Sequence, residues 1–486
     1  MKGLIKEFKF IKALMTISLA LLFFSCATYN QRISNYYKSL REEEYEIANK
    51  RLEKIPLLKK DRNELLYLLE KGKTLHLLQQ YDSSNRVFNK ADYLMENAQN
   101  TIKDVALTYL VNQMVTTYRG EDFERFMVHY YKALNYLYLG KIEDALVEAR
   151  RITLANYSQQ EKFTNDNKYT QDAFSLMLQG IIFEKGKDIN NAFIAYRNAV
   201  EIFAKNNNEY YGVQIPGQLK KDVVRTANAL GFYDEQNRLE QELGIKFIKE
   251  NKAPGGELIV FWENGLAPVK QQKNISFTLI KNDAGLFSFR DSYNELNIPF
   301  DYDTPGYNSS VELSDIKIFS IALPQYIQQR PYYMKGNLIA DSINYTLEKA
   351  QDIGVLAQQS LKQRFIKELG KALSRMALKK LAEAIAEKKE NKSDLESVLT
   401  DALSLYNLLS EKADTRNWQS LPNRIYYSRI PLKAGENNIL LQMYTRHKQV
   451  ETKRFHVNGN GGLQFFKYCK FAIAVPPDFI IAGKSI

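Results

Sequence analysis

The sequence predicts an α+β protein: an irregular α-solenoid fills the N-terminal half, and a β-rich domain carrying an inserted amphipathic helical hairpin follows. Three features of the 486-residue chain predict it. Small and large apolar residues recur at helical spacing over roughly residues 30–250. The run Lys252-Ala253-Pro254-Gly255-Gly256 then interrupts the periodicity, as a linker does. Beyond it, apolar residues fall at period two in short runs, apart from a stretch near 345–412 that returns to helical spacing.

The chain opens with a basic segment, Lys2, Lys6, Lys9 and Lys12, followed by a nearly unbroken apolar run from Ala13 to Phe24. Twelve helical residues cover about 18 Å, well short of a hydrocarbon core of about 30 Å. A short apolar run behind a basic start reads as an export signal. Phe23-Phe24-Ser25-Cys26 then resembles a lipobox, with a small residue just before the cysteine. The expectation is a lipoprotein signal peptide over 1–25 and a diacylglyceryl, N-acylated Cys26 that anchors the chain in a lipid bilayer. Two or more acyl chains hold a protein stably, whereas one gives marginal binding. An ordinary secretory signal containing a cysteine is the plainer alternative. Ala27 to Arg32 has no Asp at the sorting position, which by resemblance favours the outer membrane, facing the periplasm.

The formal charge is +11, and +8 once residues 1–25, with four Lys and one Glu, are set aside. The excess is spread along the chain and reads as a surface property, so nucleic acid is not an expected partner. Cys469 is the second of two cysteines, so no intramolecular disulfide is expected in the mature chain. It lies in the apolar run Phe465–Val475 and reads as a small buried hydrophobe. The histidines His76, His129, His447 and His456 are scattered; His447 and His456 approach each other only if their strands pair. No ligand set is complete, and no metal or cofactor is expected.

The helical half contains three related stretches. Gly180, Phe183, Ile189, Ala192, Tyr196 and Ala199 form the clearest; Ala133, Tyr136, Gly140, Ile142, Ala145 and Ala149 form a second; Gly72, Leu75, Tyr81, Ser84, Phe88 and Ala91 form a third. A small residue on one helix lets the next approach closely while a large residue fills the groove beside it. These stretches resemble tetratricopeptide (TPR) repeats. The spacing departs from a regular array: 61 residues separate Gly72 from Ala133 and 47 separate Ala133 from Gly180, against about 34 in a regular TPR. Additional helices are expected at Asn30–Lys54 and Lys103–Arg119. The boundaries are thus 26–250 for an irregular TPR-like solenoid and 255–486 for the β-rich domain. TPR arrays bind proteins or peptides, or serve as spacers, and the expected partner of this half is an envelope protein or peptide.

In the second half, Leu258–Trp262 and Gln272–Lys281 read as strands, separated by Asn264-Gly265 and by Pro268, which is excluded from a central strand. Another strand covers Ile316–Leu323 and closes at Pro324. Leu361, Phe365, Leu369, Met376 and Leu381 mark an apolar helix face bordered by Lys and Arg, and Leu395 to Leu409 mark a second. Such a basic amphipathic helix lies on an anionic membrane or packs as a core helix with a solvated face. Arg424–Leu432, Asn437–Tyr444, Gln449–Val457 and Phe465–Val475 read as the closing strands.

Glu263-Asn264-Gly265-Leu266-Ala267-Pro268-Val269-Lys270, Leu323-Pro324-Gln325-Tyr326 and Ala413-Asp414-Thr415-Arg416-Asn417-Trp418-Gln419-Ser420-Leu421-Pro422, with the lipobox and the TPR-like half, resemble a widespread family of Gram-negative, Bacteroidota-type TPR-containing lipoproteins. The resemblance spans nearly the whole mature chain. It implies an envelope location and association with other small lipoproteins, including those resembling penicillin-binding-protein activators, and it implies no catalytic role.

Within these motifs, Asp414 and Arg416 share a side of an extended segment, and Trp418 follows on the same side. They form either a recognition site for a sugar or peptide terminus, or an ion pair and aromatic plug. Asn264 and Lys270 likewise bound either a binding loop or a tight turn. No nucleophile elbow, phosphate loop or carboxylate pair in context appears, and Gly459–Gly462 lacks the Lys-Ser/Thr of a P-loop, so an enzyme is not expected. The leading expectation is a protein-binding scaffold or regulator in cell-envelope assembly. The alternative is a glycan-binding lipoprotein of an outer-membrane uptake system, as in SusD-type proteins, which display exposed aromatic platforms; this chain has only Trp262 and Trp418 for that role.

Overall fold

A computed structural model of the chain describes residues 28–97, 114, 116–162, 171–249, 252–281, 287–291, 297–300, 318–365, 369–370, 373 and 412–474. The export segment and Cys26, most of Lys103–Arg119 and nearly all of the helical hairpin beyond 365, Met376 and Leu381 of its first face included, lie outside the described residues.

The protein is α+β with a TPR-like helical part. Among the described residues, ten α-helices of the N-terminal half fall into five pairs: α1 (Tyr29–Arg41) with α2 (Tyr45–Leu52), α3 (Glu64–Leu77) with α4 (Tyr81–Glu96), α5 (Asp122–Tyr138) with α6 (Ile142–Lys162), α7 (Ala173–Lys185) with α8 (Ile189–Lys205), and α9 (Gly217–Ala229) with α10 (Tyr233–Leu243). The expected helix at Asn30–Lys54 is two helices, broken at Glu43, whose positive φ of 61° turns the chain. Capping residues explain several starts: Thr28 closes a capping box on α1, and Asp172 and Asp188 accept the N–H groups of Ser175 and Asn191 at the starts of α7 and α8. The small-against-large logic holds in space. A Cβ on Gly72 would meet the Phe88 ring at 2.6 Å, and one on Gly180 would meet Tyr196 closer still. A short hairpin, β1 (Glu209–Tyr210) and β2 (Val213–Gln214), sits between α8 and α9.

Among the described residues the β-rich half holds three four-stranded sheets. Its strands are β3 (Gly256–Asn264), β4 (Val269–Lys281), β5 (Phe287–Asp291), β6 (Asn297–Phe300), β7 (Ile318–Ile327), β8 (Tyr333–Ala340), β9 (Ile343–Thr346), β10 (Glu348–Asp352), β11 (Arg424–Pro431), β12 (Gly435–Thr445), β13 (Val450–Gly459) and β14 (Gly462–Lys470). Sheet one runs β10-β11-β3-β14, sheet two β13-β12-β8-β9, and sheet three β6-β5-β4-β7. All pairings are antiparallel except β14 with β3.

Two sequence expectations change here. The insertion does not begin near 345: β9 and β10 occupy that stretch, and the helix, α11, starts at 353, with 353–365 among the described residues. Because β10 pairs directly with β11, from Glu348 opposite Tyr427 to Asp352 opposite Arg424, the chain leaves and re-enters sheet one at the same edge. The strand expected to close at Pro324 continues to Ile327, with Pro324 opposite Gln272. It is an edge strand, the position in a sheet that tolerates proline.

Strand β3 is buried on both faces. Leu258, Val260 and Trp262 pack with Leu338, Ile439, Leu441 and Met443 of sheet two to form a sandwich core. Ile259 and Phe261 turn the other way, into the core of the helical half. The alternation of a β-strand thus divides one segment between two cores.

Candidate functional site

The first helix of every pair touches the β-rich half. In α1, Asn30 Nδ2 donates to Lys270 O at 2.8 Å. In α3, Lys73 pairs with Glu263 of β3. In α5, Tyr130 stands edge-on to Phe261 at 5.9 Å, and in α7, Phe174 does so at 6.2 Å. In α9, the N–H groups of Gly217 and Gln218 donate to the two oxygens of Glu348, each at 2.8 Å, placing an anion at the helix N-terminus. The inner surface of the solenoid, where a TPR array takes a ligand, holds the chain's own C-terminal half.

The segment 412–423 fills the first part of this cradle. Asp414 takes Arg416 in a bidentate pair, with Nε at 2.8 Å and Nη2 at 2.7 Å. Arg416 is fully buried, and its Nη1 also donates to Asn63 Oδ1 at 2.7 Å and to Thr116 O at 2.9 Å. Trp418, fully buried, lies between Phe88 and Tyr131, with ring centroids 5.8 and 5.9 Å away. Two carboxylates then grip consecutive peptide groups: Glu124 accepts the N–H of Trp418 at 2.8 Å, and Glu70 accepts that of Gln419 at 3.1 Å. Gln419 Nε2 donates to Asn30 Oδ1 at 2.7 Å.

Burial raises the Glu70 carboxyl to about 6 and, with Glu121 nearby, the Glu124 carboxyl to about 7. Glu124 therefore titrates where a general base does, but it is fully buried and its oxygens already accept Tyr118 Oη, Glu121 N–H and Trp418 N–H. Glu121 goes the other way. Burial pushes its carboxyl up, but Arg364 and Lys270 outweigh that and hold it well below the carboxylate range.

Lys270 is thus an ion-pair partner of Glu121, and its Nζ lies 5.4 Å from the Tyr326 ring. Asn264 Nδ2 donates to Tyr333 O at 2.8 Å. The turn between them is stitched on both sides: Gly265 N–H donates to Lys470 O at 2.8 Å, and Ala267 N–H to Leu421 O at 2.7 Å. Gly265 has φ +69°, which suits glycine. Asp414, Arg416, Trp418 and Lys270 are therefore brought to the junction with the helical half, as struts of it, while the Asn264 side chain bonds within the β-rich half.

Sequence reading missed the buried charges. Glu263, on β3, is met by Lys73, by Lys467 at 3.6 Å and by Tyr130 Oη at 3.2 Å. Cys469 is buried as expected, but its neighbours are ionic: Lys467 Nζ at 2.9 Å and Glu263 at 3.2 Å. Burial and Glu263 push its thiol up to about 11. Arg429 of β11 spans Glu184 at 2.6 Å, Glu257 at 3.1 Å and Asp222 at 3.5 Å. His456 stands opposite Asn438 and bonds Glu436 at 3.1 Å, so the strands do not bring it to His447.

Asp92, His129 and Glu148 offer ligand atoms within 4.8 Å of one another, on α4, α5 and α6. Lys132 Nζ already bridges this trio, 2.8 Å from Asp92 and 2.9 Å from Glu148, and Arg151 reaches Asp92 at 2.8 Å. Two cations thus balance two carboxylates, and the group reads as an ion-pair knot. A divalent ion there would have to displace Lys132.

No family model matches the chain, and no curated protein does. Solved structures that match include a MamA RS-1 double mutant, with 15% identity, 43% of this chain and 88% of that one covered, and a TM-score of 0.28. They also include a putative kinesin light chain from Podosopora anserina with nearly identical TPR-like repeats, at 12% identity, 44% and 92% coverage, and a TM-score of 0.30. The apo form of RapI matches at 15% identity, over 48% of this chain and 57% of that one, with a TM-score of 0.32. At these scores the helix pairing described above, and not the likeness, carries the TPR-like reading.

Proposed function

We propose that the chain is a non-catalytic, protein-binding scaffold of the cell envelope, anchored at the outer membrane through lipidated Cys26. The solenoid grips its own β-rich half with the inner helices and offers the outer helices to a partner. The distribution of exposed apolar side chains carries this reading. Among the described residues, each second helix bears one: Ile47 on α2, Tyr93 on α4, Val147 on α6, Ile194 on α8 and Tyr233 on α10, with Phe232 just before it. The first helices bear none among the described residues. Single exposed apolar residues are ordinary, but confinement to one layer of a repeat array is a pattern. Val147 and Ile194 also stand at the same place in their helices, five residues after the start.

The envelope location rests on the lipobox-like Phe23-Phe24-Ser25-Cys26 and on the resemblance to Gram-negative TPR lipoproteins. Among the described residues no helix is long and apolar enough to cross a membrane. Photo-crosslinking residues placed at Val147 and Ile194 in living cells test the partner surface. A reproducible envelope-protein adduct supports it, and no adduct from either position sinks it. Loss of fatty-acid labelling in Cys26→Ser tests the anchor separately. The glycan reading has no tryptophan platform, since Trp262 and Trp418 are both fully buried. It keeps one foothold, on sheet two.

A further inference from the structure

Sheet two has one face on the sandwich core and one in solvent. Its inner residues include Leu338, Ile439, Leu441 and Met443. The register then fixes what the outer face presents. Gln442 stands opposite Thr452 on one side and Asn337 on the other, and Asn337 stands opposite Thr346. One row of uncharged hydrogen-bonding side chains therefore crosses all four strands, roughly 14 Å at about 4.8 Å per strand. The side chains of Asn337, Thr346 and Thr452 have no hydrogen-bond partner among the described residues, and none of the three is buried.

The neighbouring rows add two other chemistries. On one side Tyr444 stands opposite Lys335; its Oη donates to Gln442 Oε1 at 2.8 Å, and the Lys335 ammonium lies 5.3 Å from its ring. On the other side Arg454 stands opposite Leu440, which stands opposite Ile339. Arg446 and Lys448 are exposed on the hairpin between β12 and β13, beyond Tyr444. Lys335, Arg446, Lys448 and Arg454 have no ion-pair partner among the described residues, while the carboxylates at the far end are taken: Glu436 by His456 and Asp341 by Lys433. Glu451 turns to the other face, toward Tyr333 and Lys470.

A face built only for solubility mixes both signs of charge. Here the centre is a ladder of amides and hydroxyls, which donate and accept as sugar hydroxyls do. One aromatic ring lies beside it for stacking, and the unpaired charge around it is of one sign. A charged membrane surface is met by clustered cations and inserted apolar groups; among the described residues of this face the one well-exposed large apolar side chain is Val450, opposite Tyr444, and the centre is the amide row. We infer that the open face of sheet two binds an anionic polysaccharide, one whose sugar units carry carboxylate groups. The amide row would take the hydroxyls, and Lys335 and Arg454 the carboxylates. This site is separate from the outer helices of the solenoid and does not depend on the scaffold reading.

The test is affinity electrophoresis of the full, detergent-solubilised chain through gels containing polygalacturonate or neutral dextran. The expected result is retardation by polygalacturonate and little by dextran. Asn337→Ala with Gln442→Ala, which leaves the charge unchanged, is expected to weaken retardation about tenfold for two lost hydrogen bonds. Lys335→Gln with Arg454→Gln weakens it as well, most at low salt. Thermal melts that match the parent show that the variants remain folded. No retardation by polygalacturonate overturns the inference. So does retardation that the charge variants abolish and the amide variants leave intact, which is the behaviour of a general polyanion or lipid surface.

Discussion

Trp418 donates its backbone N–H to the Glu124 carboxylate at 2.8 Å, a bond between residues 294 positions apart in the chain. The next peptide does the same to Glu70. Two side-chain carboxylates of the helical half thereby hold consecutive main-chain N–H groups of the segment that leads into β11, and with a shared core the two halves fold as one unit.

Burial of these two carboxyls sets a pH dependence, against which the two N–H bonds pull. Glu70 and Glu124 titrate at about 6 and about 7 in the folded protein, against an ordinary value near 4.5. The folded state therefore binds these protons more tightly than the unfolded one. Their stabilisation is full below pH 4.5 and is lost as pH rises through 6 to 7, on the order of 2 kcal/mol for Glu70 and 3 kcal/mol for Glu124. Glu121, held ionised by Arg364 and Lys270, acts in the opposite sense and loses its contribution well below pH 4.5. Thermal melts at pH 5 and pH 8 should show a fall in Tm that shrinks in Glu124→Gln. An unchanged fall would show that the carboxyl is not raised.

Trp418→Ala should cost about 3–5 kcal/mol, the range for emptying a large aromatic site in a core. The ring is fully buried between Phe88 and Tyr131, and its Nε1 donates to Ser420 Oγ at 2.9 Å. A shift in the urea midpoint measures the loss. Because Phe88 and Tyr131 belong to the helical half, tryptophan fluorescence and helical circular dichroism should be lost together in the parent, and non-coincident transitions would contradict the single-unit reading.

Lys73 and Glu263 present a buried charge pair between the first half and the second. Lys73→Met leaves Glu263 with Lys467 at 3.6 Å as its remaining cation, and breaking a buried pair from one side costs about 3–5 kcal/mol. Adding Glu263→Gln removes the stranded charge and should return part of that stability. A double-mutant cycle in denaturant reads the coupling. Purely additive losses would show that the pair contributes nothing beyond its separate packing.

Much of the architecture was legible because it is periodic. The pairs Gly72 with Phe88 and Gly180 with Tyr196 were visible as small and large residues at helical spacing, and Ile439, Leu441 and Met443 as a strand face. The junction was not. Asp414 and Arg416 were seen as a local pair, but nothing local says that Arg416 also reaches Asn63 and Thr116 across the chain. Lys73 and Glu263 look like solvated charges, because burial is decided by partners that sequence spacing does not bring near. The start of the insertion was misplaced for a related reason: β10 is short and carries Glu348, Lys349 and Asp352, which mask a strand whose partner, β11, returns only at Arg424.

The glycines separate steric necessity from turn geometry. A methyl on Gly72 would meet the fully buried Phe88 ring at 2.6 Å. Gly72→Ala should therefore cost about 1–3 kcal/mol by overpacking, and Phe88→Leu in the same chain should cost less than its own loss added to that of Gly72→Ala, because the clash is relieved. Gly140, in the turn after α5, has nothing within 4 Å of the corresponding position but holds φ at +70°. Gly140→Ala should cost about 1 kcal/mol from backbone strain alone, with no rescue by any neighbour. Denaturant midpoints of the four variants decide it. If Gly72→Ala proved as mild as Gly140→Ala, the first and second helices of that pair would be free to move apart, and the close approach that defines the repeat would not be a constraint of the fold.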